Sequence, residues 1–152
     1  MKLLPDLAPA DLEHPSANGF LLPQGLIGFK DHTRAELHYV PDHLPFLWLK
    51  LHGPGDAVNF IVIEPAGLIP GYELELFDED AASLGLTGPA DALVLNIVTL
   101  RQQNPLDATV NLVGPIVVNR RTREARQLVI ANYSRYSAHH PLVDAAAARA
   151  TA

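Results

Sequence analysis

ALVLNIVTL at 92–100, RQQNPLDA at 101–108, TVNLVGPIVVN at 109–119, RRTREAR at 120–126 and QLVI at 127–130: this stretch decides the fold. Three runs rich in β-branched and aliphatic residues, joined by two polar connectors, predict an antiparallel meander. Pro115 follows Gly114 inside the middle run, so that strand must break, bulge or lie at an edge there, because proline cannot donate to a ladder. Asn111 and Asn119 flank the break as expected turn or ladder partners for backbone groups, not as ligands.

Upstream, short apolar runs alternate with Gly/Pro punctuation. Phe20-Leu21-Leu22 closes at Pro23-Gln24-Gly25, and Gly25 and Gly28 bracket a bend that needs positive φ or close backbone approach. Residues 35–40 alternate apolar with polar, as a strand with one face in solvent does. Residues 46–51 hold the only tryptophan, Trp48, and look apolar on both faces, which predicts burial. His52 to Asp56 is a turn by composition, and with residues 58–64 it makes a hairpin. Ile69-Pro70-Gly71-Tyr72 is expected to open a further strand that runs through Leu76. Asp78 then opens the one convincing helix as its N-cap, with Glu79 and Asp80 at the positive end of the dipole and Gly85 as the stop. Three segments follow: a Pro-rich arm over 1–19, a body over 20–143 and an Ala-rich tail over 144–152. Eight or nine short strands, one short helix and frequent turns predict an all-β fold, a small antiparallel β-barrel-like single domain.

Composition narrows the function classes. With 152 residues, 48% hydrophobic and 18% charged, the chain is sized for one ordinary globular domain. Its apolar runs are too short to span a bilayer as helices, no secretory leader is evident, and a cytoplasmic location is expected. The absence of cysteine rules out disulfides and thiolate metal sites. A net charge of −6 argues against nucleic-acid binding; it suits a basic partner and is equally accounted for by plain solubility.

Catalytic motifs are missing: no phosphate loop, no HExxH, no GxSxG. His139 and His140 are adjacent, so on a strand they would point to opposite faces, a poor metal geometry. No metal, cofactor or catalytic residue is assigned. Arg120, Arg121, Arg123 and Arg126 form one basic cluster, read as a solvated turn. Glu73, Glu75, Asp78, Glu79 and Asp80 form the acidic cluster, read either as a strand face plus helix start or as a docking patch for a basic partner.

The ordered phrases resemble the flagellar assembly factor FliW family. They run from F-x-x-P-x-G-L-x-G-F at Phe20–Phe29, through Pro45-Phe46-x-Trp48-Leu49, to Thr109-x-Asn111-Leu112-x-x-Pro115-Ile116-Val117-x-Asn119 and Tyr136-Ser137-x-x-His140-Pro141-Leu142. The resemblance implies a non-catalytic β-barrel-like protein. Such a protein binds the RNA-binding regulator CsrA, relieves its repression of flagellin mRNA, and binds flagellin in a feedback switch. Gly25, Gly28, Trp48, Asn111, Pro115, Asn119, His140 and Pro141 are then structural motif positions, and the acidic cluster is the expected part of the CsrA surface. The departures are a first strand with a Phe-Gly pair that Met1–Asn18 lacks, His139 where arginine is common, and Ala125 where a turn glycine is common. From another class comes the alternative of a small barrel holding a small molecule, motivated by Trp48 and the Gly25–Gly28 bend.

Overall fold

A computed structural model describes residues 1–4, 18–101 and 107–142; most of the N-terminal arm and the Ala-rich tail lie outside them. The described strands are β1 (Lys2–Leu3), β2 (Gly19–Leu21), β3 (Arg34–His38), β4 (Leu47–His52), β5 (Val58–Ile63), β6 (Leu74–Glu75), β7 (Ala92–Leu100), β8 (Ala108–Val110), β9 (Ile116–Asn119), β10 (Ala125–Gln127) and β11 (His140–Pro141). The helix α1 spans Asp78–Ser83.

All laddered pairings are antiparallel, and the main sheet runs β10-β9-β7-β5-β4-β3-β2, with β8 on β7 and β11 on β8. The two ends of this order approach each other at Leu21, which bridges to Glu124 in parallel and donates its N–H to the Arg123 carbonyl at 2.8 Å. The fold is therefore all-β and barrel-like, its edges joined at one isolated bridge instead of a full ladder. β1 and β6 form a separate two-stranded sheet.

Why β7 and β9 read as unbroken apolar runs is now clear: both faces are covered. Leu93 and Leu95 of β7, with Ile116 and Val118 of β9, join Leu37, Leu49, Leu51 and Val62 in the barrel core. Ala92, Val94, Val98 and Val117 face a second core, closed by Leu74, Leu76, Ala81 and Leu84 from β6 and α1. Strands with one solvent face alternate instead, as in β3.

The meander forms as expected, and its middle strand does break. β8 and β9 both pair with β7, but between Val98↔Val110 and Leu95↔Ile116 three steps along β7 face six along the segment that joins β8 to β9. That wide bulge holds Gly114 and Pro115. Asn111 Oδ1 accepts from the N–H groups of Val113 and Gly114 at 3.0 and 2.9 Å, an Asx turn that organises it.

Three expectations need correcting. Trp48 is half-buried on the outer face of β4, whose Leu47, Leu49 and Leu51 alone face the core; its indole N–H donates to His43 Nδ1 at 2.9 Å. Asp78 is the first helical residue, not the cap: Phe77 occupies the cap position and no side chain caps the helix. The strand expected to open at Ile69-Pro70-Gly71-Tyr72 and run through Leu76 shrinks to Leu74–Glu75. Gly85 does end α1, at φ +73°, with Gly85 N–H to Ala82 O and Leu86 N–H to Ala81 O at 3.0 Å in a Schellman arrangement.

Candidate functional site

The acidic residues converge where β6 meets α1. Glu73 and Glu75 project from the same side of β6, and Asp78, Glu79 and Asp80 make the first turn of α1. They are partly neutralised: the Met1 amino group lies 3.3 Å from Glu75 Oε1 and 3.5 Å from Asp78 Oδ1, Lys2 Nζ 3.2 Å from Glu73 Oε2, and Arg126 Nη1 3.9 Å from Asp80 Oδ1. Asp78 is nonetheless fully exposed, and Glu79 is exposed. Such solvated pairs contribute little to stability, so most of the negative field remains available to a partner.

Two of those cations, the Met1 amine and Lys2, come from the chain start at β1, and Arg126 comes from β10. Lys2 pairs with Glu75 and Leu3 with Leu74, while Leu3 packs into the second core. A short edge strand thus exists at the start of the chain, without the Phe-Gly pair.

The other side of β6 is held by side chains acting as a strand. Asn132 Nδ2 donates to Glu73 O at 2.8 Å while its Oδ1 accepts from Glu75 N–H at 2.9 Å. Tyr136 Oη accepts from Glu73 N–H at 2.9 Å, and Ala131 N–H donates to Glu75 O at 2.6 Å. These contacts shorten the formal strand and fix the acidic residues in space.

Beneath this layer lies a polar knot. Tyr72 Oη donates to Leu112 O at 2.6 Å and accepts from Asn96 Nδ2 at 3.2 Å; Asn96 also donates to Asn111 O at 3.0 Å. Burial pushes the Tyr72 phenol far above its ordinary pKa, with Tyr136 adding to the rise and the Asn96 bond opposing it. Asn119, fully buried, accepts from Arg121 and Thr122 N–H and donates to Leu84 O at 2.9 Å, joining the β9–β10 turn to the end of α1.

The arginine cluster is knitted into turns: Arg121 donates to Gly85 O, Arg123 to Gly19 O and Arg126 to Ser83 Oγ. Gly25 and Gly28 both take positive φ, and a Cβ on Gly25 would meet Phe29 O at 2.2 Å. The bend they form rims a surface hollow of about 210 Å³ with Lys30, Arg126 and Gln127. A second hollow, about 320 Å³, lies between β2, β3 and Arg123. There Glu36 bridges His52 at 3.0 Å and His38 at 3.2 Å; burial opposes ionisation slightly, but the two rings hold its carboxyl below the ordinary value.

His140 lies on β11 opposite Val110, with Pro141 opposite Thr109. Among the described residues, no three histidines or carboxylates are grouped to hold a metal, and no helix is long and apolar enough to cross a membrane. Of the features that motivated a small-molecule site, Trp48 is half-buried on the outer face of β4, and the Gly25–Gly28 bend rims the smaller surface hollow. Sequence reasoning gave Asn96 and Asn132 no role, and it met Tyr136 only as a word of the family resemblance. It also missed the exposure of Phe77, Val129, Ile27 and Tyr133.

The geometry defines a class: a small, double-cored β scaffold whose distinctive chemistry is an acidic, partly apolar surface. The sequence model of the FliW protein family matches residues 8–142, and the chain belongs to that family. Flagellar assembly factor FliW of Moorella thermoacetica is 31% identical over 137 residues, covering 90% of this chain and 81% of the relative. The FliW of Desulfitobacterium hafniense DCB-2 is 37% identical over 141 residues, covering 92% and 90%. The crystal structure of a flagellar assembly factor FliW superposes with a TM-score of 0.70 at 30% identity, over 83% of this chain and 86% of that one.

Proposed function

We propose that this chain is a non-catalytic, cytoplasmic flagellar assembly factor. It binds the translational regulator CsrA, antagonises its repression of flagellin mRNA, and binds flagellin in a feedback switch. The supporting observation is the acidic surface of β6 and α1. Asn132 and Tyr136 hold the backbone of Glu73 and Glu75, and α1 presents Asp78, Glu79 and Asp80 beside them, with Asp78 and Glu79 open to solvent. An RNA-binding regulator must be basic to contact phosphate, so opposite charge favours encounter and orientation. Family membership supports the flagellar role, since the relatives carry the name flagellar assembly factor.

Charge reversal at Glu75, Asp78 and Asp80 tests the assignment of the surface. The variant is expected to weaken CsrA binding and to flatten its salt dependence, measured by calorimetry at several ionic strengths. Unchanged affinity and unchanged salt slope would remove this surface from the account.

A further inference from the structure

Beside the acidic surface the sheet has an open edge. Beyond β10 the chain continues extended: Leu128 N–H donates to Pro115 O at 3.0 Å and Ile130 N–H to Val113 O at 3.1 Å. Alternation along an extended strand then turns the N–H groups of Val129 and Ala131 the other way. Ala131 finds Glu75 O at 2.6 Å. Val129 finds nothing: among the described residues neither its N–H nor its C=O has a hydrogen-bond partner, and its side chain is 49% exposed. Extending the Ala131–Glu75 bond by two residues leads from Val129 toward Phe77, the residue that caps α1, and among the described residues no strand pairs there. Phe77 is itself 48% exposed. At the far end of the edge Ile27, 71% exposed, is tethered by its N–H to Gln127 Oε1 at 3.0 Å. An unpaired backbone position flanked by three exposed apolar side chains is a template for an added strand.

We infer that this edge, centred on Val129 between Phe77 and Ile27, takes an extended segment of a basic partner protein as an added β-strand. This rests on the reading of the chain as a binder of a basic regulator and gives that partner a backbone contact beside the acidic residues. Charge selects the occupant. The Phe77 end is flanked by Asp78 and Glu79, both exposed, and half-exposed Glu75. The cations nearby are partly committed: the Met1 amine to Glu75 and Asp78, Lys2 to Glu73, and Arg126 to Asp80 and Ser83, while Arg135 lies over the Tyr136 ring. A segment alternating apolar with basic residues places apolar groups on Val129 and Phe77 and its charge against the carboxylates.

The test uses the full chain and reads amide hydrogen exchange at Val129 by NMR. Measurements are made alone, with an alternating Lys–Val peptide, with a Glu–Val peptide, and with purified CsrA. The Lys–Val peptide and CsrA are each expected to slow Val129 exchange by about tenfold or more, while the Glu–Val peptide does not. Val129→Pro removes the outward N–H and leaves the Leu128 and Ile130 bonds in place. It is expected to lower affinity for CsrA at least about tenfold with an unchanged thermal midpoint. Val129→Thr keeps the N–H and the branched shape, and retains most of the affinity should the proline variant fold poorly. If CsrA binds but Val129 stays unprotected and Val129→Pro binds as tightly as wild type, the edge is not the site. If CsrA does not bind yet the Lys–Val peptide protects Val129, the strand template stands and the regulator reading falls. If CsrA does not bind and the Lys–Val peptide leaves Val129 unprotected, both readings fall.

Discussion

Tyr72→Phe should cost the protein about 2 kcal/mol, because its hydroxyl braces the bulge between β8 and β9 beside the Asn111 turn. The Tyr72 phenol donates to Leu112 O at 2.6 Å, and Leu112 is 1% exposed, so its carbonyl is left without its donor in a dry site. Leaving one buried acceptor unsatisfied costs about 1–3 kcal/mol. Asn96 Nδ2 keeps its bond to Asn111 O and adds little to the loss. With a urea m-value of about 2 kcal/mol/M, the midpoint should move down by about 1 M. In a domain of this size the melting temperature should fall by about 4–8 °C. Urea unfolding followed by circular dichroism measures it. Pairing the change with Asn96→Leu checks the network, since both residues touch Tyr72 Oη and their costs should not add. A shift below about 0.3 kcal/mol, or strict additivity, would refute the knot as a brace of the bulge.

Other outcomes follow from the same geometry. Gly25→Ala should destabilise far more than Gly55→Ala. Both have positive φ, but a Cβ at Gly25 meets Phe29 O at 2.2 Å whereas one at Gly55 meets nothing within 4 Å; equal losses would contradict this. Gly55→Ala should cost about 1 kcal/mol, the left-handed penalty alone. Above pH 10 the protein should lose stability. The Tyr72 phenol stays neutral when folded while the unfolded chain ionises, so the unfolded state binds fewer protons there. A 295 nm titration in which every tyrosine ionises near pH 10 with the fold intact would sink that prediction. On the acid side, the Glu36 contribution is present above its unfolded pKa near 4.5 and lost as pH falls through its lower folded value. Glu36→Gln should remove that part of the pH dependence, seen as a flatter acid limb in thermal melts.

Much of the fold was legible because burial writes directly into residue pattern. The unbroken ALVL and IVVN runs mark strands covered on both faces, and Gly114-Pro115 marks the break between β8 and β9. Gly85 announced the end of α1 through its backbone freedom. Trp48 misled because a large apolar residue on an outer face looks the same in sequence as one in a core; there Phe46 and Ile61 are only partly buried. Asp78 looked like a cap, but its carboxylate lies 3.5 Å from the Met1 amine, and the helix has already begun.

The platform under the acidic residues was not legible at all. Asn132 acts on β6 from 57 residues away and Asn96 on Tyr72 from 24, and a polar residue in a strand or loop gives no sign of so distant a partner. The open edge at Val129 was hidden for the opposite reason. In QLVI its valine looks like its buried neighbours Leu128 and Ile130, and only the fold shows that, among the described residues, no strand pairs beside it.

The most direct measurement is size-exclusion chromatography with light scattering on the purified protein mixed separately with CsrA and with flagellin. The account predicts a stable complex with each. Elution of both mixtures as unassociated components would contradict it.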